Sequence, residues 1–369
     1  MKLRLPFYLL VLLISLNSCS SGKSAYKHGD YYDAVLQAVQ RLRQKPDHKK
    51  SKEVLTLSYK SAVDFLETDA QNQISSNANF KWKSAVNNYE KINHLYEEIR
   101  KSPGALQVIP NPISKYKELT EVKAKAAEES YEAGLQSMLK NTREDAKQAY
   151  FQFMDANAYS PGYREAIEMI EQSKFNATLK VVVEPTVQNY EGWNFESIAF
   201  GYTANQFVKF YTPQQAQDAS LAKVDQFIKV SVEGYQEGKA TVTKRTESFK
   251  DSVKTGEKVV NGIKVPINQK VAADMTTYSK SVRARGAARF IIMDAASNAE
   301  IKNQELVSNA DWNYQWATFT GDARALSKSN RDLSAKREAS YPVGSLKSQV
   351  KRELDQQLTN EIKGFYKNY

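Results

Sequence analysis

Residues 178–185 read Thr-Leu-Lys-Val-Val-Val-Glu-Pro, and the periodicity of the sequence changes at this stretch. An apolar run that meets Pro185 is typical of a buried β-strand bounded by a residue that cannot continue it. Upstream, apolar residues recur every three or four positions, as in amphipathic helices. Downstream, apolar and polar residues alternate, as in strands. The sequence therefore predicts an α+β fold, with a helical domain over residues 19–174 and a strand-rich domain over residues 175–369.

Several segments further along the chain carry strand and turn signals. Apolar and polar residues alternate from Ile228 to Glu233, which indicates a strand with one solvated face. The threonine-rich segment 240–246 alternates in bulk, and we expect residues 234–238 to form the turn between these two strands. Asn261-Gly262 is the strongest short signal for a β-hairpin.

Two more segments complete the expected sheet. The run Arg289-Phe-Ile-Ile-Met-Asp294 indicates a central strand, and the bulky residues from Trp312 to Phe319 indicate another. We expect a mainly antiparallel sheet of six or more strands, flanked by helices over about 203–222 and 345–366. The C-terminal helix has an apolar stripe at four-residue steps, so we favour its docking on the sheet over contact with a membrane or a partner. The stripe consists of Leu346, Val350, Leu354, Leu358, Ile362 and Phe365.

The helical half carries small residues and turn formers at spacings typical of paired helices. Gly29-Asp30 interrupts the chain, Ala34 is small enough for two backbones to approach, and Pro46 cannot continue a helix. This order of residues resembles a tetratricopeptide repeat that begins partway through its first helix. The residues that carry the resemblance, including those of two later stretches, are Gly22, Gly29, Tyr31, Ala34, Pro46, Ala85 and Ala146.

The resemblance implies a helical-repeat domain of about three helix pairs. The helices expected over 48–75 and 114–140 are longer than a roughly 34-residue repeat allows, so the repeat is degenerate. Stacked repeats leave a concave surface for a partner's helix or extended peptide, although the apolar stripes can equally be core. The proline-rich segment 102–113 is expected to be a stiff extended loop, either a plain connector or a contact element.

The first 18 residues have the layout of a signal peptide. Lys2 and Arg4 precede an apolar run from Leu5 to Leu16. These twelve residues would rise only about 18 Å as a helix, short of the roughly 30 Å hydrocarbon core of a bilayer. We therefore expect residues 1–18 to be removed rather than to span a membrane.

The residues at the end of this segment resemble the lipobox of bacterial lipoproteins. Leu16, Asn17 and Ser18 precede Cys19, which is the single cysteine of the chain. The resemblance implies that the Cys19 thiol receives a diacylglycerol and that the new amino terminus is acylated, for example with palmitate. Several acyl chains anchor a soluble body stably, whereas one holds it only marginally. The alternative is an ordinary cleaved signal peptide followed by a free thiol.

The charge balance favours an anionic surface as a partner. The chain has 52 Lys and Arg against 42 Asp and Glu, and removal of residues 1–18 leaves an excess of +8. Such a balance suits anionic lipid or the cell wall. No basic run is longer than three residues, and an exported protein would not meet nucleic acid, so we expect no nucleic-acid partner.

Composition and motifs argue against catalysis. His28, His48 and His94 all precede residue 95, and no HExxH or GxSxG motif occurs. One cysteine cannot build a disulfide framework or a cysteine-rich zinc site. A carboxylate pair could be hidden among residues late in the chain, although aspartates at strand ends usually bond locally. Those residues are Asp274, Asp294, Asp311 and Asp322.

These features together predict a non-enzymatic lipoprotein without cofactor or metal. The resemblance is to outer-membrane lipoproteins of the Bacteroidetes, and it implies a scaffold or interaction subunit that faces the periplasm and binds an outer-membrane protein or complex through its helical repeats. If Gly22 already belongs to the folded body, the tether from Cys19 is about three residues and spans at most roughly 10 Å. The alternatives are a cell-wall or glycan-binding lipoprotein and, less favoured, a carboxylate-dependent hydrolase.

Overall fold

A computed structural model describes residues 21–186, 193–221, 223–261 and 263–369. The fold is α+β, and the chain divides into two compact units, Met1–Ala177 and Thr178–Tyr369. The helices of the first unit are α1 (Lys23–Lys27), α2 (Tyr31–Gln44), α3 (Lys49–Ser75), α4 (Lys81–Arg100), α5 (Pro103–Val108), α6 (Tyr116–Met138), α7 (Arg143–Tyr159) and α8 (Ala166–Ala177).

Consecutive long helices of the first unit pack on one another through two apolar clusters. Ala34, Leu42 and Leu55 lie in the larger cluster, which joins α2, α3, α4 and α6, and all three are fully buried. Tyr131 and Phe153 lie in the smaller cluster, which joins α6, α7 and α8. The long helices predicted over 48–75 and 114–140 are confirmed as α3 and α6.

The segment 102–113 is only partly the extended loop that its prolines suggest, since residues 109–113 are non-helical but residues 103–108 are helical. Residues Pro103–Val108 form α5, because the Ser102 side chain accepts a hydrogen bond from the amide of Ala105 and Pro103 occupies the first turn. Proline is well suited to that position, where its missing N–H is not needed. A Cβ on Gly104 would lie 2.7 Å from Cα of Pro46, so α5 packs closely against the end of α2.

The start of the first unit also differs from the expected repeat. Gly22 does not lie inside a long first helix but caps the five-residue helix α1, with a φ of 78°. The left-handed conformation that only glycine adopts readily ends any continuous helix there. The antiparallel partner expected for α2 is therefore shortened to little more than one turn.

The second unit contains one mixed sheet of six strands within the described residues. The strands are β1 (Leu179–Val183), β2 (Val208–Tyr211), β3 (Gln226–Glu237), β4 (Thr241–Val260), β5 (Ile263–Asp294) and β6 (Glu300–Gly321). Across the sheet the order is β2-β1-β3-β5-β6, and β4 pairs with β5 on the same edge as β3. β1 pairs parallel with β2 and β3, whereas β5 pairs antiparallel with β3, β4 and β6.

β5 is 32 residues long and organises the sheet. β3 pairs with residues 284–294 of β5, and β4 pairs with residues 263–281. Because β6 pairs with residues 273–293, β3 and β4 must follow each other along the opposite edge. The turn expected at 234–238 is therefore wrong: β3 continues to Glu237, and the chain then passes directly into β4 without reversing.

The hairpin predicted at Asn261-Gly262 is confirmed by the pairing on either side of it. Val260 pairs with Ile263 in the antiparallel ladder between β4 and β5. Asn261 has a φ of 51°, as the favoured two-residue turns require. Gly262 itself lies outside the described residues.

The helix expected over 203–222 is wrong for most of its length. Residues 208–211 form β2, whose side chains alternate between buried and exposed at its start, and only Pro213–Asp218 is helical (α10). Pro213 restricts Thr212 to an extended conformation, so a helix can begin there but cannot continue through it. The remaining short helices of this unit are α9 (Glu196–Phe200) and α11 (Lys328–Ser334).

The C-terminal helix is confirmed as α12, over residues Ser345–Tyr366. It packs on β5 and β6 and buries most of its apolar stripe against Phe290, Ile292 and Leu306. Phe365 is the exception: it is only half-buried, and Tyr366, four residues after Ile362, takes the buried position. Leu346, Val350 and Leu354 are at most 2% exposed. In the part of the chain that the structure describes, none of the helices is long and apolar enough to cross a membrane.

Candidate functional site

The lipobox-like residues Leu16, Asn17, Ser18 and Cys19 lie outside the described residues. The described chain begins two residues later, at Ser21, and Gly22 is already buried. A Cβ on Gly22 would lie 2.4 Å from the carbonyl oxygen of Ala34 and 3.1 Å from Cγ1 of Val54. The folded body therefore begins three residues after Cys19.

The residues that carry the repeat resemblance occupy packing positions. Ala34, Ala85 and Ala146 are at most 4% exposed and lie in different helices. The structure brings Gly22 against Ala34 and Pro46 against Gly104. Gly29 has a φ of 79° with open space around it, and Tyr31 is half-buried beside Tyr26. Gly22, Ala34, Ala85 and Ala146 therefore determine how closely their helices approach.

The outer surface of α3 exposes two large apolar side chains. Leu57 is 48% exposed and Phe65 is 67% exposed. Eight residues separate them, so they lie on the same side of the helix, about 12 Å apart along its axis. We call this pair the α3 patch. Two exposed apolar side chains on one side of a helix are candidate anchors for a partner helix.

The four aspartates considered for catalysis do not meet at one site. Asp274 and Asp294 lie 20 residues apart on β5, which separates them by about 66 Å. Asp274 accepts a hydrogen bond from Ser248, and Asp311 forms an ion pair of 3.2 Å with Arg283. Asp322 lies near the same end of β6 as Asp274, but each of the two is bonded to a different neighbour.

Local interactions lower the pKa values of two of these carboxyls, those of Asp294 and Asp322. The Ser297 hydroxyl donates to Asp294 at 2.7 Å, and with the Ser297 amide it lowers the pKa of that carboxyl. The Arg324 guanidinium, 2.6 Å from Asp322, lowers the pKa of Asp322 to about 2. A carboxyl that remains ionised at neutral pH cannot serve as a general acid.

The solvent-facing side of β5 and β6 carries an open polar cleft. Arg283 and Arg285 project from β5, and Asn309 and Asp311 oppose them on β6. With Gln236 from β3 they line a cleft of about 400 Å³ at the point where β3 gives way to β4. We call this feature the polar cleft. Its guanidinium, amide and carboxylate groups offer both donors and acceptors to a hydroxyl-rich ligand.

Three aromatic residues of β6, Trp312, Tyr314 and Trp316, lie on the opposite side of the sheet from the polar cleft. Tyr278 stacks on Trp316 with ring centroids 5.2 Å apart and an angle of 7° between the planes. Tyr341 packs against Trp312 from the segment before α12. Trp316 is only 8% exposed. These rings therefore contribute mainly to the core and do not line the cleft.

The turn signal at Asn261 predicts the β4–β5 hairpin but not its length. β6 reaches only as far as the pairing of Gly321 with Ala273. Beyond that point, residues 250–260 and 263–272 pair with each other alone. We call this two-stranded projection the arm. At about 3.3 Å per residue it extends roughly 33 Å beyond the last residue of β6.

No group of three or more His, Cys, Asp or Glu side chains able to hold a metal ion occurs within residues 21–186, 193–221, 223–261 and 263–369. No model of a known protein family matches this chain, and no curated protein matches it significantly.

Proposed function

We propose that this protein is a lipid-anchored scaffold of the bacterial outer membrane, held through Cys19 with its helical unit against the membrane on the periplasmic side. The observation that carries the proposal is the burial of Gly22 against Ala34. Three residues of chain span at most about 10 Å, so an anchor at Cys19 would hold α1 and α2 close to the lipid headgroups.

The charge of the first helices supports this placement. Residues 20–54 contain eight Lys and Arg and four Asp and Glu, an excess of +4 over 35 residues. Lys23, Lys27 and Lys50 are exposed. Basic residues next to an anchor add to membrane attachment by roughly 1 kcal/mol each when the surface is anionic.

The helical unit supplies a surface for a partner beyond the membrane. Consecutive packing of α2, α3, α4, α6, α7 and α8 builds a rigid stack. The α3 patch projects from it, and a partner helix could bury Leu57 and Phe65 as paired anchors. We propose an outer-membrane protein as the partner, and tetratricopeptide-like recognition as the mode of contact.

Insertion of a flexible linker tests whether the anchor must hold the helical unit against the membrane or only attach it to the membrane. About 20 Gly and Ser residues between Ser20 and Ser21 would allow an end-to-end distance of about 25 Å. A matched control places the same insert between Asn77 and Ala78, in the loop between α3 and α4. We expect crosslinking to the outer-membrane partner in living cells to fall with the first insert and to survive the second. Unchanged crosslinking with the first insert would refute membrane apposition.

The polar cleft supports a second candidate function, the binding of cell-wall glycan. Arg283 and Asp311 are both exposed, and the cleft is wide enough to admit sugar hydroxyls. Since no aromatic residue lines it, recognition would depend on hydrogen bonds. Cosedimentation of the full chain with purified sacculi tests this function, and Arg285→Gln with Asn309→Ala should abolish it. Retention of the double variant on sacculi would contradict a site at this cleft.

We also propose that the protein acts without catalysis. Support comes from the separate local partners of Asp274, Asp294, Asp311 and Asp322.

A further inference from the structure

The tip of the arm exposes apolar side chains on both faces. Val259 and Ile263 are each 69% exposed and Val260 is 44% exposed. Val260 pairs with Ile263 and points to one face. The adjacent Val259 points to the other face, where it pairs with Lys264. A tip that combines exposed apolar side chains with a cation is suited to end-on entry into the boundary of an anionic bilayer.

Two lysines flank this tip, one on each face. Lys258 pairs with Val265 and Lys264 pairs with Val259, so their side chains point to opposite sides of the arm. Residues 250–272 contain five lysines and two acidic residues, a net charge of +3. Glu257 forms ion pairs with Lys254 and, at 3.9 Å, with Lys264. Lys258 and Lys264 are the cations nearest the tip. Lysines at this position can extend to anionic headgroups while their stems remain beside apolar groups.

The free edges of the arm limit how deeply it could insert. Beyond Ala273 the outer edge of β5 has no pairing strand, and β4 is paired only with β5. Unpaired backbone groups in hydrocarbon cost several kcal/mol each, so one arm cannot cross a bilayer. Insertion of a few residues into the interfacial region leaves those groups in contact with water and headgroups.

The dimensions of the arm argue against a second copy as its partner. One face of two strands, about 33 Å long and about 10 Å wide, offers on the order of 300 Å². Stable dimers bury about 800 Å² on each partner. The net positive charge of the arm also opposes association of two identical arms.

We propose that the tip of the arm inserts into the interfacial region of an anionic bilayer. Val259, Val260 and Ile263 enter the boundary between headgroups and acyl chains, and Lys258 and Lys264 contact anionic headgroups. A hairpin of two strands is marginally stable alone, and this contact would order its end. The inference does not depend on acylation of Cys19.

An environment-sensitive fluorophore tests the proposal by position. In the full chain with Cys19→Ser, Ile263→Cys provides a single thiol for an NBD label, and Thr246→Cys provides a control at the base of β4. The probes are phosphatidylcholine vesicles with and without 30% phosphatidylglycerol. We expect a blue shift and quenching by lipid-attached nitroxide only at position 263 and only with anionic vesicles.

Membrane contact by residues 1–18 cannot produce a blue shift confined to position 263, because it would not distinguish position 263 from position 246. Lys258→Gln with Lys264→Gln should weaken the response at position 263 by at least about tenfold. The inference would be overturned by an unshifted spectrum at position 263 or by an equal shift at both positions. It would also be overturned by a shift that depends on protein concentration and occurs without lipid, because such a shift reports contact with a second copy.

Discussion

Gly286 of β5 lies directly beneath Val350 of α12. A Cβ at position 286 would lie 2.4 Å from Cγ1 of Val350 and 3.0 Å from the Trp193 ring. The missing side chain lets α12 approach the sheet and bury its apolar side chains from Leu346 to Ile362, together with Tyr366. The position of the C-terminal helix therefore depends on one glycine in the longest strand.

Gly286→Ala should destabilise the second unit by about 1–3 kcal/mol, because the helix must shift to admit the methyl group. Val350→Ala in the same chain removes the nearest atoms and should recover part of that loss. Urea unfolding of the two single variants and the double variant measures the coupling. Strict additivity of the two changes would contradict direct contact.

Gly22→Ala and Gly29→Ala form a matched pair in the first unit. Both glycines have left-handed φ values near 78°, but only Gly22 faces a backbone carbonyl within 2.4 Å of an added Cβ. Each alanine costs about 1–2 kcal/mol from conformation alone. We expect Gly22→Ala to cost more and to speed hydrogen exchange of the Tyr26 amide, which donates to the Gly22 carbonyl. Equal effects of the two variants would refute close packing at Gly22.

Tyr366 should contribute to alkaline instability. Burial raises the pKa of its hydroxyl above the ordinary value of 10.0. The folded state thus keeps a proton that the unfolded state loses, so this contribution to stability is complete below pH 10 and is lost as pH rises further. Tyr366→Phe should reduce the fall in unfolding free energy between pH 9 and pH 11.

At neutral pH the Tyr366→Phe variant should have a lower free energy of unfolding than the unsubstituted chain. The Tyr366 hydroxyl donates to Oε1 of Gln226 at 3.0 Å, and Gln226 is 3% exposed. Loss of this donor should cost about 1–3 kcal/mol. Denaturant unfolding across the pH range measures both effects, and an unchanged pH profile would show that Tyr366 is not the group responsible.

Phe65→Glu should separate partner binding from folding. Phe65 is 67% exposed, so its replacement should change the unfolding free energy by no more than about 0.5 kcal/mol. We expect crosslinking to the outer-membrane partner to be lost. Tyr59→Ala, at a position buried in the same helix, is the destabilising control. Full crosslinking by the Phe65→Glu chain would exclude the α3 patch as the contact surface.

Local sequence patterns were sufficient to predict those elements whose structure depends mainly on their own residues. The four-residue stripe of α12 predicts both the helix and its buried face, and Asn261 predicts the hairpin. The same turn formers misled at Ser102 and Pro103, because serine and proline also begin helices when they occupy the cap and first turn. Pro213 misled in the opposite direction, since it begins the short helix α10 after β2 rather than lying inside a longer helix.

Features that depend on pairing between distant strands could not be predicted. β3 and β4 share one edge of β5 because of a register set by residues 263–294 as a whole, not by the glycines at 234 and 238. The arm was missed for the same reason. A hairpin signal at Asn261 does not report whether a third strand covers the hairpin, and only the end of β6 at Gly321 decides that.

Mass spectrometry of the amino-terminal peptide, from protein extracted from the outer membrane, tests the central proposal most directly. We predict that the mature chain begins at Cys19 and carries a diacylglycerol thioether and an acylated amine. An unmodified Cys19 thiol, or residues 1–18 still attached in the membrane fraction, would contradict the lipid anchor and the membrane-apposed scaffold inferred from it.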